Sequence, residues 1–252
     1  MSEQIVLGID VGGSGIKGAL IDIQTGELVS ERIRLETPQP STPQAMGETF
    51  AELAARFNWK GYIGCGFPAI IRNGVALSAS NIHSSWLNCQ VDNVFSDITG
   101  CRVHLINDAD AAGLAAMHFG LGRGEMGTVL LITIGTGIGS ALFHKGVLMP
   151  NTEFGHIYLQ GHQEVAERYC ADSARKREGL EWETWGRRLN EYLHFVDRLV
   201  LPDLIILGGG ASKHYEKYAH CLTLNTRVKA AILQNNGGMI GAAWNAWNLE
   251  QQ

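Results

Sequence analysis

The sequence predicts an α/β protein of two duplicated lobes, and a repeated strand–glycine turn–strand unit is the first observation behind that reading. One copy runs Ile5-Val6-Leu7-Gly8-Ile9-Asp10-Val11-Gly12-Gly13-Ser14-Gly15-Ile16-Lys17-Gly18-Ala19-Leu20. The other runs Val129-Leu130-Leu131-Ile132-Thr133-Ile134-Gly135-Thr136-Gly137-Ile138-Gly139-Ser140-Ala141-Leu142. Asp10 aligns with Thr133, 123 positions further on, and one gap in the glycine run then pairs Ala19-Leu20 with Ala141-Leu142. Such a duplication suggests that the two turns face one another across a cleft. A second observation is that strand-like runs and helical stripes follow one another without a low-complexity tract or flexible linker, which implies closely packed lobes. Length is the third. A chain of 252 residues, 45% apolar, forms one large domain or two small ones and buries a substantial core.

Taken in order, the first strands are expected at Ile5–Val11, Ile16–Ile23 and Val29–Leu35, with Gln24-Thr25-Gly26 turning between the last two. Thr37-Pro38-Gln39-Pro40-Ser41-Thr42-Pro43 interrupts regular structure. Met46, Phe50, Leu53, Ala54 and Phe57 then recur at helical spacing. Gly61–Pro68 reads as a strand leading into an ordered loop. Val103–Ile106 is a strand that delivers Asn107-Asp108, and Ala109–Phe119 an alanine-rich helix. After the second copy comes the loop Met149–His156. Trp182, Trp185, Leu189, Tyr192, Leu193, Val196 and Leu199 form the core-facing stripe of a long amphipathic helix, stopped by Pro202. Leu204–Leu207 is a buried strand ending in Gly208-Gly209-Gly210, and Met239, Ile240, Ala243, Trp244 and Trp247 mark a terminal helix. The lobes are expected at 1–106 with 236–252 (the smaller, closed by the C-terminal helix) and at 107–235.

Composition excludes several classes of function. Twenty Lys and Arg against 25 Asp and Glu give a net charge of −5, unlike a general nucleic-acid binder, so a polyanionic ligand must be met by local donors. No stretch approaches a membrane span, and with the first strand beginning at Ile5 no signal peptide is expected. Cys65, Cys89, Cys101, Cys170 and Cys221 are odd in number and scattered, as suits reduced thiols in a cytoplasm.

Glycine-rich turns let backbone N–H groups approach an anion, and Ser14 and Thr136 add hydroxyl donors. Either turn alone is an ordinary hairpin; the pair points to a phosphate chain held from both sides. Asp108, at a strand end and opening a helix, is from position alone a helix cap.

With these pieces placed, the chain resembles the ROK sugar-kinase family, and within it the polyphosphate glucokinase branch. The resemblance rests on Leu7–Gly18, Asn107–Gly113, Thr133–Gly139, Pro150–His156 and Leu207–Gly210, which follow family order across nearly the whole chain. Phe154 replaces a more usual Leu, and Ala69 a Gly after Phe67-Pro68. The resemblance implies the actin-like/hexokinase (ribonuclease H-like) fold and a kinase that phosphorylates glucose at its 6-hydroxyl with polyphosphate, ATP or both. A ROK kinase for mannose, fructose or an N-acetylated sugar, and a sugar-sensing ROK regulator, are the alternatives.

It further implies that Asp108 is the catalytic base and that Asn81, Asn107, Glu153, His156 and Glu167 bind the sugar. Glu164 competes with Glu167 for its place. Asp10, Gly12, Gly13, Ser14, Lys17, Thr136, Gly137, Gly209 and Gly210 are expected at the phosphates, with Asp10 meeting Mg²⁺ through water. Lys17 has a surface role as its alternative; so do Arg123, Lys213 and Lys217, the candidates for a polyanion track. Many ROK proteins carry a Cys-rich zinc motif, but here His162 is followed by no such cluster, so no zinc is expected. A cytoplasmic homodimer without nucleic-acid or membrane partners completes the implied picture.

Overall fold

The computed structural model describes residues 4–252. The chain divides into two compact units, one running through Phe119 and resuming at Asn236–Gln252, the other Gly120–Asn235. In the first unit, β1 (Ile5–Gly12), β2 (Gly15–Asp22) and β3 (Ile33–Leu35) precede α1 (Pro43–Arg56) and β4 (Ile63–Phe67). A small hairpin, β5 (Ile71–Arg72) and β6 (Val75–Ala76), leads to α2 (Val91–Thr99), β7 (Val103–Asn107) and α3 (Asp108–Phe119). The second unit comprises β8 (Thr128–Ile134), β9 (Ile138–His144), β10 (Val147–Met149), α4 (Ala166–Cys170), α5 (Asp172–Arg177), α6 (Trp182–Val200), β11 (Leu204–Gly208) and β12 (Arg227–Ala230). The chain then returns to the first unit as α7 (Gly237–Glu250).

The two main sheets share one plan. Their orders are β3-β2-β1-β4-β7 and β10-β9-β8-β11-β12. In each, the first three strands are antiparallel neighbours and the last two join in parallel. Cross-strand register also locates the gap in the repeat. Asp10 pairs with Lys17, but its counterpart Thr133 pairs with Gly139, one residue sooner. Gly13 and Ser14 form the first tip beyond the Gly12–Gly15 pair. In the second, Gly135 N–H donates to Gly137 C=O at 3.0 Å across Thr136 alone.

Local chemistry sets the helix ends. Pro43 opens α1, where its missing N–H costs nothing, and Thr42 caps the helix by accepting from Ala45 N–H at 3.4 Å. Met46, Phe50, Leu53 and Ala54 form its buried face, and Phe50 stacks on Phe95 of α2 with ring centroids 4.2 Å apart. Helix α6 buries Trp185, Leu189, Tyr192, Leu193 and Val196, and ends at Leu201 (φ 49°) just before Pro202. Strands β4 and β11 are buried at every residue, as expected for parallel strands covered on both faces.

Three expectations need correction. The strand expected over Val29–Leu35 is regular only at Ile33–Leu35, because Ser30 Oγ accepts the Leu20 N–H at 2.9 Å and takes a donor from the ladder. Leu199 is 60% exposed, so the α6 stripe ends at Val196 before the helix leaves the core. The boundary between units falls after Phe119, not after Ile106, and the first unit is the larger. The cause is α3, which packs along α7 and stacks His118 on Trp244 at 3.6 Å.

Candidate active site

Strand register gathers the acidic residues of the first unit. Asp10 lies opposite Gly66, and Gly66 opposite Ile106, so the carboxyl ends of β1, β4 and β7 are side by side. A Cβ placed on Gly66 would lie 3.7 Å from both Asp10 Oδ1 and the Asp108 Cα. The two aspartates are thus separated by little more than that glycine. Lys17 Nζ donates to Asp10 Oδ2 at 3.0 Å, which makes Lys17 a partner of the strand-end carboxylate and not a solvated surface charge. On its other side Asp10 meets the first turn of α7. A Cβ on Gly238 would come within 2.8 Å of Asp10 Cγ, so this close approach requires glycine. A helix N-terminus there favours the negative charge.

The cap of α3 is Asn107, not Asp108. Asn107 Oδ1 accepts from the N–H groups of Ala109 (2.9 Å) and Asp110 (3.1 Å), while Nδ2 donates to Ala69 C=O at 3.0 Å. Asn107 is only 7% exposed, and these bonds fix the strand-to-helix corner at which its sugar contact is expected. Asp108, the first residue of α3, is half-buried and shares one of these helix donors with Asn107. Its Oδ1 accepts from Ala109 N–H at 2.8 Å.

Asn81 lies beside the first glycine turn, its carbonyl 3.0 Å from where a Gly13 Cβ would sit. Its loop is pinned by buried Trp86, whose Nε1 donates to Ser41 C=O at 2.8 Å, and by His83 N–H, which donates to Ser41 Oγ at 3.0 Å.

In the second unit the structure joins three of the expected sugar ligands. His156 Nδ1 is 2.8 Å from Glu153 Oε2, and His156 Nε2 is 3.8 Å from Glu167 Oε1. The other oxygen of Glu167 accepts Ile138 N–H at 3.2 Å, immediately after the second glycine turn. Glu164, by contrast, is exposed. Burial raises the Glu153 pKa above the ordinary 4.5, and the Glu167 charge adds to this; the hydrogen bond and charge of His156 oppose them. The loop before Glu153 is anchored by Ser140, 1% exposed, whose Oγ donates to Thr152 C=O at 2.7 Å and accepts from Phe154 N–H at 3.1 Å.

The glycine run after β11 backs the same turn. Gly208 lies opposite Thr133, and Gly209 (φ 75°) packs on the Ile134 backbone. Lys213 and Lys217 continue from this run on the short 3-10 segment Gly210–Lys217, both exposed, with Lys217 Nζ 5.9 Å from the Trp182 ring centre. Arg123 is an exposed turn residue before β8.

Arg34 and Thr37 hydrogen-bond carbonyls of the first glycine turn and Ser173 those of the second; with Ser140 and Gly238 they adjoin the expected site residues without having been expected there. Gly237-Gly238 carried a usable signal: two glycines in one helix turn cost helix stability unless something must come close. The others act through tertiary hydrogen bonds that leave no local pattern. Among the described residues, no group of three or more His, Cys, Asp or Glu side chains is placed to hold a metal ion, and Cys170 is buried with its Sγ donating to Ala166 C=O at 3.1 Å.

The ROK family model matches residues 6–174. The chain belongs to the ROK family. It is 43% identical over 237 residues to the polyphosphate glucokinase of Mycobacterium tuberculosis (strain CDC 1551 / Oshkosh), covering 94% of this chain and 89% of that one. The crystal structure of the inorganic polyphosphate/ATP-glucomannokinase from Arthrobacter sp. strain KM superposes with a TM-score of 0.94 at 42% identity, over 97% of this chain and 99% of that one. A ROK family glucokinase from Streptomyces griseus, solved in complex with glucose and AMPPNP, shares the fold with a TM-score of 0.82 at 22% identity, over 97% of this chain and 99% of that one. The ROK chain described here therefore has the actin-like hexokinase fold, as its residues implied.

Proposed function

We propose that this ROK protein is a cytoplasmic kinase that transfers the terminal phosphoryl group of polyphosphate or ATP to the 6-hydroxyl of glucose. The observation that carries the reading is the position of Asp108: a carboxylate where β7 passes into α3, at a corner fixed by Asn107 and adjoining Asp10 across Gly66. The polyphosphate glucokinase and glucomannokinase relatives, at 43% and 42% identity over most of the chain, support the donor and the acceptor.

In this account Asp108 accepts the 6-hydroxyl proton as that oxygen bonds to the terminal phosphorus. The bridging P–O bond breaks, leaving ADP or a polyphosphate one unit shorter. Such transfers pass through a loose transition state, so orientation and charge neutralisation matter more than the strength of the base. Glu153, His156 and Glu167 pair with sugar hydroxyls, each of which would cost free energy if buried unmatched. The glycine turns, with Ser14 and Thr136, supply donors to phosphate oxygens. Mg²⁺ fits Asp10, whose Oδ2 is held by Lys17 and whose Oδ1 lies beside Gly66 and Gly238, because magnesium accepts one carboxylate while retaining water. When bound, it would neutralise charge on the phosphates.

The glucomannokinase relative favours mannose as a second acceptor. The test is formation of sugar 6-phosphate by the purified protein with Mg²⁺, glucose or mannose, and either donor. Glucose 6-phosphate from at least one donor is expected; none from both would reject the proposal.

A further inference from the structure

In both glycine turns, carbonyl groups are held from behind by residues outside the turn. In the first unit Thr37 Oγ1 donates to Gly12 C=O at 2.5 Å, and Arg34 Nη2 donates to Ser14 C=O at 2.7 Å. In the second, Ser173 uses two groups: its N–H donates to Gly135 C=O at 3.1 Å and its Oγ to Thr136 C=O at 2.6 Å. These anchors come from unlike elements. Arg34 lies in β3, Thr37 in the loop after it, and Ser173 in α5. The duplication therefore does not account for the shared outcome.

A trans peptide points its C=O and the following N–H in opposite directions. Fixing the carbonyls of Gly12, Gly135 and Thr136 thus directs the N–H groups of Gly13, Thr136 and Gly137 away from the anchors. Glycine adopts either sign of φ readily, so an unanchored turn could rotate a peptide plane at little cost and turn a carbonyl toward an anion. Thr37 is only 7% exposed, and its hydroxyl is committed to this contact. Arg34 also packs against the turn, since a Cβ on Gly15 would meet its Nε at 2.5 Å. We infer that Thr37, Arg34 and Ser173 are positioning residues for the phosphoryl donor, holding both turns with their amides presented to phosphate. This rests on the kinase reading above.

The variants Thr37→Val, Thr37→Ser and Ser173→Ala test it in the full chain. Thr37→Val and Ser173→Ala are each expected to raise the KM for polyphosphate and for ATP about tenfold, the effect of losing one hydrogen bond. The KM for glucose should stay at the wild-type value, and Thr37→Ser, which keeps the hydroxyl, should restore donor KM. The rise in Tm that linear polyphosphate produces without glucose should shrink in the same two variants. Should Thr37→Val fail to fold, Ser173→Ala decides, because its backbone anchor remains. Unchanged donor KM and unchanged Tm response, or an equal rise in the KM for glucose, would overturn the inference. A wild-type protein that makes no glucose 6-phosphate would reject the kinase reading instead; the polyphosphate-induced Tm response would then decide the anchoring separately.

Discussion

Asn107 and Glu153 show how single residues divide the work between holding the site and doing its chemistry. Asn107 spends its carbonyl on two helix N–H groups and its amide on Ala69, so Asn107→Ala should cost about 1 kcal/mol of stability as a lost cap. It should also lower kcat by displacing Asp108; a rise in the KM for glucose beside that loss would support Asn107 as a sugar ligand too, and an unchanged KM would confine it to the corner. For Glu153 the sign of the pH effect follows from burial. Its folded pKa lies above the ordinary 4.5, so the folded state binds the proton more tightly than the unfolded chain does. The stability it contributes is complete below that ordinary value and is lost as pH rises through the folded pKa. Glu153→Gln should therefore melt above the wild-type protein at neutral pH, lose that advantage below about pH 4.5 and lose activity throughout. Melting curves across this range check the claim, and a variant less stable than wild type at neutral pH would refute it.

At the scale of elements, Gly238 sets two effects against each other. Glycine to alanine within a helix ordinarily stabilises by about 0.5–1 kcal/mol. Here a Cβ would stand 2.8 Å from Asp10 Cγ, so the side chain must move or α7 must shift. Steric displacement should win: Gly238→Ala is expected to leave Tm level or lower and to cut kcat/KM by about a hundredfold, as misplacing a catalytic group by about 1 Å can do. Wild-type activity with a raised Tm would show that Asp10 needs no such support. Helix α6 offers the contrast of an element whose role is packing. Trp185 is fully buried and its Nε1 donates to Cys170 C=O at 3.0 Å, so Trp185→Ala should cost about 3–5 kcal/mol, read from denaturant unfolding of the second unit.

Across the whole molecule, what the sequence disclosed follows from where the information resides. The repeated turns, the gap between them and the α6 stripe were legible because strand alternation, glycine clusters and helical spacing are local patterns. The end of the stripe, the broken strand before Ile33 and the unit boundary were not, because each depends on tertiary partners: core edge at Leu199, Ser30 on Leu20, α3 along α7. Asp108 and the Glu153–His156–Glu167 group were named through family resemblance, whereas Asn107 as the cap and the anchors of the turns appear only once distant residues are brought together. Net charge works at this scale too. At −5 the protein offers polyphosphate no general attraction, so Lys213 and Lys217 are the expected local cations. Replacing both with Ala should raise the KM for long polyphosphate more than for ATP and flatten its dependence on salt; equal effects on both donors would discard the track.

The most direct test of the central claim is a ³¹P NMR time course with glucose, Mg²⁺ and polyphosphate, run with wild-type protein and Asp108→Asn. The wild-type reaction should convert polyphosphate signal into a glucose 6-phosphate resonance, while Asp108→Asn, of equal Tm and unchanged glucose affinity, should form less than about one hundredth as much, as expected for loss of a general base. Orthophosphate in place of glucose 6-phosphate, or an Asp108→Asn rate near that of the wild type, would contradict the account.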